Sequence, residues 1–202
     1  MEIWNYFSSQ IYNDFIQEYL ESTILVADEH LNLIKKDQSI DKIYPIWQSN
    51  SFENDNRIIN LRTEIIKKSE FFLDSQGYDI SSYDLFFTEL WAQEHHKTSN
   101  QERHVHHNTV LSGVYFLQCP EDGCRFIIHE PRPAKEYGIF LPEKNVDLVT
   151  QASTIINFTP EPGELMLFNS YLPHSFTRNG SDIPCKFIHF NIGARYRETQ
   201  II

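Results

Sequence analysis

The chain is short of cysteine, short of positive charge, and lacks any long apolar run. Its three cysteines, Cys119, Cys124 and Cys185, are odd in number and sparse. They have neither the spacing of a disulfide framework nor that of a zinc finger, so a reducing, cytoplasmic compartment is expected. Lys and Arg number 17 against 28 Asp and Glu, a net charge of −11. An acidic surface argues against nucleic acid or an anionic membrane as the main partner, because both need basic side chains to neutralise phosphates. No stretch approaches the roughly 18 apolar residues that span a bilayer. The N-terminus, Met1-Glu2-Ile3-Trp4, puts an acid where a signal peptide carries a base. Repeats, low-complexity tracts and charge blocks are also missing. The 202 residues therefore suit one domain with its own core.

What is present changes period near residue 83. Residues 1–82 read as a helical support region and 83–202 as a β core. Glu2–Phe7 alternate polar and apolar as a short opening strand would. From Asn13, a plausible cap, to about Lys36, the residues Phe15, Ile16, Tyr19, Leu20, Ile24, Leu25, Leu31 and Ile34 recur at helical spacing. A polar linker, 41–55, leads to a second helix over 56–75, with Ile58, Ile59, Leu61, Ile65, Ile66, Phe71 and Phe72 facing inward and Gly77 as its stop. A strand over 83–91 and a polar loop over 92–103, which would expose His95 and His96, come next. Residues 110–118 and 124–130 read as a hairpin about the Pro120–Gly123 turn. Residues 131–153, with Pro131, Pro133 and Pro142 and no period, read as a lid or substrate-facing loop. Strands over 154–159, 164–169 and 185–192 complete a mainly β, α+β chain, a barrel or sandwich braced by helices.

The chemistry gathers in Arg103-His104-Val105-His106-His107-Asn108. Side chains alternate faces along a strand, so His104 and His106 point the same way and His107 the other. Imidazoles so spaced are metal-site donors, and His174, at a proline-marked turn after an apolar strand, is a third. Nine histidines can also cluster by chance on a polar edge.

Several ordered pieces carry a family resemblance: Trp91, then His104-x-His106, then Leu111-Ser-Gly-Val-Tyr-Phe-Leu117; Glu130-Pro-Arg-Pro133; Pro162-Gly-Glu-Leu-Met-Leu-Phe168; Ser170-Tyr-Leu-Pro-His174; and Phe190-Asn-Ile192. Together they resemble the small 2-oxoglutarate/Fe(II) oxygenases of bacteria and phages, relatives of the prolyl hydroxylases. The resemblance implies a double-stranded β-helix, or jelly-roll, with Fe(II) in its open end and 2-oxoglutarate as co-substrate. It implies His104 and His174 as iron ligands. The wider superfamily has Asp or Glu where this chain has His106, which points to a three-histidine site.

The resemblance also places an Arg about eleven residues beyond the distal histidine, where a guanidinium takes the co-substrate carboxylate in a bidentate grip. That position is Cys185. Lys186 and Arg125 are the basic substitutes, Tyr115 offers a hydroxyl, and Asn191 matches the family's closing polar residue. A bulge would turn Lys186 inward, whereas strand parity places it with Ile188 and Phe190. The implied pocket has Tyr115, Phe126, Ile128, Phe168, Phe187 and His189 around it, with Arg132 and the 131–153 loop over the mouth. Such an enzyme couples decarboxylation of the oxo acid to hydroxylation of a small molecule or a peptide or protein side chain. Two alternatives stay open: a three-histidine, cupin-type metalloenzyme that does not use 2-oxoglutarate, and a non-catalytic jelly-roll binding module.

Overall fold

The extended half of the chain folds as two facing antiparallel sheets in the computed structural model, which describes residues 2–4, 7–138 and 141–197. In chain order the strands are β1 (Ile11–Phe15), β2 (Ile46–Gln48), β3 (Tyr83–His95), β4 (Gln101–His104), β5 (Leu111–Gln118), β6 (Phe126–His129), β7 (Ile155–Phe158), β8 (Glu164–Asn169), β9 (His174–Phe176) and β10 (Cys185–Tyr196). One sheet has the order β1-β8-β5-β10-β3-β2 and the other β4-β9-β6-β7. This is the jelly-roll expected from the resemblance. The predicted hairpin, however, does not form: β5 pairs with β8 and β10, whereas β6 pairs with β7 and β9. The Pro120–Gly123 turn is real, with Gly123 N–H donating to the Pro120 carbonyl, but it carries the chain across from one sheet to the other. Turn chemistry specifies a reversal, not which strands then pair.

Helices α1 (Leu20–Asp37) and α2 (Ile59–Ser75) pack on the outer face of the six-stranded sheet. α1 begins later than periodicity predicts because Ile11–Phe15 pairs with β8 as an added edge strand; Asn13 is in that strand, bonded to Glu164, and caps no helix. Glu2–Trp4 form no strand, and Asn5 and Tyr6 lie outside the described residues. On α1, Val26, Ala27 and Leu31 are buried and Leu25 is exposed. On α2, Leu61, Ile65, Phe72 and Leu73 are buried, whereas Ile59 and Phe71 face solvent. Gly77 has φ +88°, the left-handed stop its position predicts. The 131–153 segment carries a short helix, α3 (Pro133–Gly138).

Because helices cover one face of the six-stranded sheet and the second sheet covers the other, β5, β8 and most of β10 are buried on both faces. Hence these strands read as nearly continuous apolar runs. Parity then sorts their side chains. Leu111, Tyr115, Leu117, Ile188, Phe190 and Ile192 join the helix-side core. Val114, Phe116, Phe126, Phe168, Phe176 and Phe187 fill the space between the sheets. Gly113 lets the Phe190 ring cross its strand: a Cβ there would lie 2.3 Å from Phe190 Cζ.

Candidate metal centre

His104, His106 and His174 converge where β4 meets β9 at one end of the barrel. Their donor nitrogens all lie within 4.8 Å of one another, and no other group of three or more His, Cys, Asp or Glu among the described residues does this. His104 and His174 are cross-strand partners in the β4–β9 ladder. β4 ends at His104, so the two histidines do not share one strand as alternation predicts; His106 is held just beyond it, its N–H donating to the Ser170 carbonyl at 3.1 Å. The predicted parity survives in the side chains, and His107 is exposed.

The second ring nitrogen of two of these histidines is bound to a backbone carbonyl. His104 Nδ1 is 2.8 Å from Glu102 O, and His174 Nδ1 is 3.0 Å from Leu172 O. A carbonyl only accepts, so Nδ1 carries the proton in both and Nε2 presents its lone pair. The Nε2 atoms of His106 and His174 are buried without a partner. Burial, reinforced by the neighbouring His104, pushes His174 down to about 3 and His106 to about 4, so both are neutral donors near pH 7. Buried, unpartnered, neutral imidazole nitrogens aimed at one point fit a divalent transition metal.

The predicted co-substrate residues divide by parity. Tyr115 faces the helices, where its hydroxyl donates to the Ile16 carbonyl at 2.9 Å. Lys186 also faces the helices despite a register shift beside it, with Nζ 2.7 Å from Asp28 and 3.4 Å from Glu94. Burial works against its charge, but the two carboxylates outweigh this and hold its pKa above the usual range. Arg125 is exposed on the connection before β6, with its N–H donating to Thr177. None of the three reaches the metal centre. Cys185 lies between the sheets, accepting from Cys124 N–H at 3.0 Å. Arg132 is at the rim, its Nε 2.6 Å from Glu130, on a cleft of about 400 Å³ also lined by Ile128, Lys135, Thr150 and Leu172.

Asn191 and His189 are brought to the centre. Asn191 lies 3.3 Å from His106 Nδ1. The His189 ring is 4.6 Å from that of His106 and is stacked at 4.8 Å on Trp91. Sequence reasoning missed His95, expected in an exposed loop. β3 runs four residues further than predicted, and His95 is fully buried beside Phe176 and Phe187. Trp91 Nε1, both ring nitrogens of His189 and of His95, and the Oε1 atoms of Gln93 and Gln101 are buried without partners. All belong to β3, β4 and β10. Only strand pairing could reveal this polar lining, because each residue is unremarkable in its own segment. Trp91 Nε1–H and one ring N–H each of His95 and His189 are donors in this set, whereas the two Oε1 atoms and the other ring nitrogens accept; the donors suit an acceptor-rich ligand such as a carboxylate.

The family model described as "Putative 2OG-Fe(II) oxygenase" matches residues 89–191, just over half of the chain. No curated protein sequence matches. Among solved structures, the chain is similar to a prolyl-4-hydroxylase from Pseudomonas putida, with TM-score 0.62, 11% identity, and coverage of 95% of this chain and 94% of the other. It is also similar to the epimerase SnoN in complex with Fe3+, alpha ketoglutarate and nogalamycin RO (0.64, 12%, 96% and 83%). A third similar structure is HygX from Streptomyces hygroscopicus with nickel, 2-oxoglutarate and hygromycin B bound (0.56, 12%, 92% and 83%). At such identities the likeness shows the fold.

Proposed function

Since the chain belongs to the 2OG-Fe(II) oxygenase family, whose cofactors are Fe(II) and 2-oxoglutarate, we propose that it hydroxylates a small molecule or a peptide side chain at iron held by His104, His106 and His174. The observation that carries this reading is the convergence of the three imidazoles, with two of their tautomers pinned by backbone carbonyls. When bound, the iron supplies oxygen activation coupled to decarboxylation of the oxo acid. The chain's own residues supply binding, orientation and exclusion of water. Trp91 Nε1–H and His189 are the unpartnered donors nearest the centre and would take the co-substrate carboxylate by neutral hydrogen bonds. Arg132, on the rim cleft, faces the substrate. No helix among the described residues is long and apolar enough to cross a membrane.

The test is anaerobic addition of Fe(II) and 2-oxoglutarate, followed by air. A visible metal-to-ligand charge-transfer band and iron-dependent succinate are expected; neither should form with His174→Ala. Lys186 is paired with Asp28 and Glu94, Tyr115 with Ile16, and Arg125 is exposed, and this favours a second reading, a three-histidine metalloenzyme that does not use the oxo acid. Metal uptake without the band decides for it.

A further inference from the structure

The three imidazoles of the centre are not held alike. Carbonyls fix the tautomers of His104 and His174, but His106 Nδ1 faces the side-chain amide of Asn191 at 3.3 Å. An amide can donate or accept, and a half-turn exchanges the two. If its nitrogen faces His106, Nδ1 is the acceptor, the ring proton lies on Nε2, and Nε2 cannot bind a metal. If its oxygen faces His106, Nδ1–H donates and Nε2 is bare. As placed, the amide nitrogen faces His106 Nδ1 and the oxygen accepts from Ser112 Oγ; the half-turn is compatible with these neighbours, and the convergence of His106 on His104 and His174 selects it. Ser112 Oγ, 2.7 Å from the other amide atom, can accept from the amide nitrogen while its own hydrogen passes to Ser170 Oγ at 3.1 Å. Ser170 also receives Thr109 Oγ1–H at 2.7 Å. The half-turn exchanges a 3.4 Å donation from the Asn191 amide nitrogen to Glu89 for an amide oxygen facing that carboxylate, which is exposed and can turn to water. Asn191 is itself 3% exposed, so in the folded chain it and not bulk water faces His106 Nδ1.

We propose that Asn191 is a positioning residue whose amide oxygen accepts from His106 Nδ1–H and thereby makes His106 Nε2 a metal ligand. This rests on the reading of His106 as a ligand. It assigns Asn191 to the metal rather than to the co-substrate carboxylate.

The probe is zinc, titrated against a chromophoric chelator with the full-length chain. Asn191→Ala should weaken zinc binding by about 10–100-fold, the usual effect of removing an outer partner of a ligating histidine. Asn191→Asp, an acceptor in either orientation, should stay within a few-fold of wild type. In 15N-histidine spectra of the zinc-loaded protein, the His106 Nδ1–H signal should exchange slowly in wild type and Asn191→Asp and be lost in Asn191→Ala. If Asn191→Asp folds poorly beside Glu89, the double variant with Glu89→Gln restores charge balance and answers the same question. Wild-type zinc affinity in Asn191→Ala, equal losses in the Ala and Asp variants, or wild-type protein that takes up no zinc, each overturns the proposal. Zinc binding that follows the expected pattern in protein that never turns over 2-oxoglutarate leaves it standing and removes the oxygenase reading instead.

Discussion

Lys186→Met separates a co-substrate anchor from a structural ion pair. Lys186 Nζ lies 2.7 Å from Asp28 and 3.4 Å from Glu94, on the helix side of β10. Its side chain is 16% exposed, and that of Glu94 only 5%. Stripping one partner from a buried pair costs about 3–5 kcal/mol when the other charge is left alone. Here Glu94 keeps both contacts to Lys35, at 2.8 and 2.9 Å, and His96 at 2.7 Å. Asp28, 38% exposed, turns to water, and methionine preserves the packing of the lysine stem. The loss is therefore about 1–2 kcal/mol, a discount on that full penalty for the partners that remain. For a chain of this size that lowers Tm by about 2–8 °C. Thermal unfolding followed by circular dichroism reads the shift, and anaerobic titration of the charge-transfer band reads the Kd for 2-oxoglutarate. The expected result is a lower Tm with an unchanged Kd. An unchanged Tm with a tenfold weaker Kd would mean that Lys186 reaches into the barrel, and the parity reasoning would be wrong.

Other consequences are as direct. Arg125→Ala, at an exposed position, should leave 2-oxoglutarate affinity within twofold in the same titration. His174→Ala removes one of three donors and should abolish iron-dependent succinate formation, measured by mass spectrometry; retained turnover would displace the site. Burial, aided by the neighbouring His96, pushes His95 down to about 3. Between an unfolded value near 6.5 and that folded value the unfolded chain binds the extra proton, so stability present above pH 6.5 is lost as pH falls, by about 1.4 kcal/mol per pH unit for each such histidine. Denaturant unfolding of His95→Phe from pH 6.5 to 4.5 should show a slope shallower by that amount, and an identical slope counts against a buried neutral His95. Gly113→Ala places a Cβ 2.3 Å from Phe190 Cζ and should cost about 1–3 kcal/mol by overpacking, read as a lower denaturant midpoint.

Much of the fold was legible where a local rule has one outcome. The helical period found the second helix and Gly77 found its end. The apolar run at 111–117 is a strand buried on both faces, and the alternation of His104, His106 and His107 separates the two converging imidazoles from the exposed one. Errors came where a long-range partner decides. Ile11–Phe15 carries helix-compatible spacing, yet β8 captured it as a strand. Leu25, Ile59 and Phe71 have the spacing of core residues, but helix orientation on the sheet left them outside. Residues 124–130 have the turn of a hairpin and pair elsewhere.

The converging histidines and the family are legible in the chain alone: two histidines one residue apart, a third at a proline-marked turn, and the ordered pieces around them. These are local or ordered features of the chain, so they survive without coordinates. Which side of β5 and β10 faces the three histidines depends on how the strands pair. Both faces of those strands are apolar, so hydrophobic patterning cannot distinguish inside from outside. The register with β3 and β8 makes the choice: Tyr115 and Lys186 turn to the helices, while His189 and Asn191 turn to the metal centre.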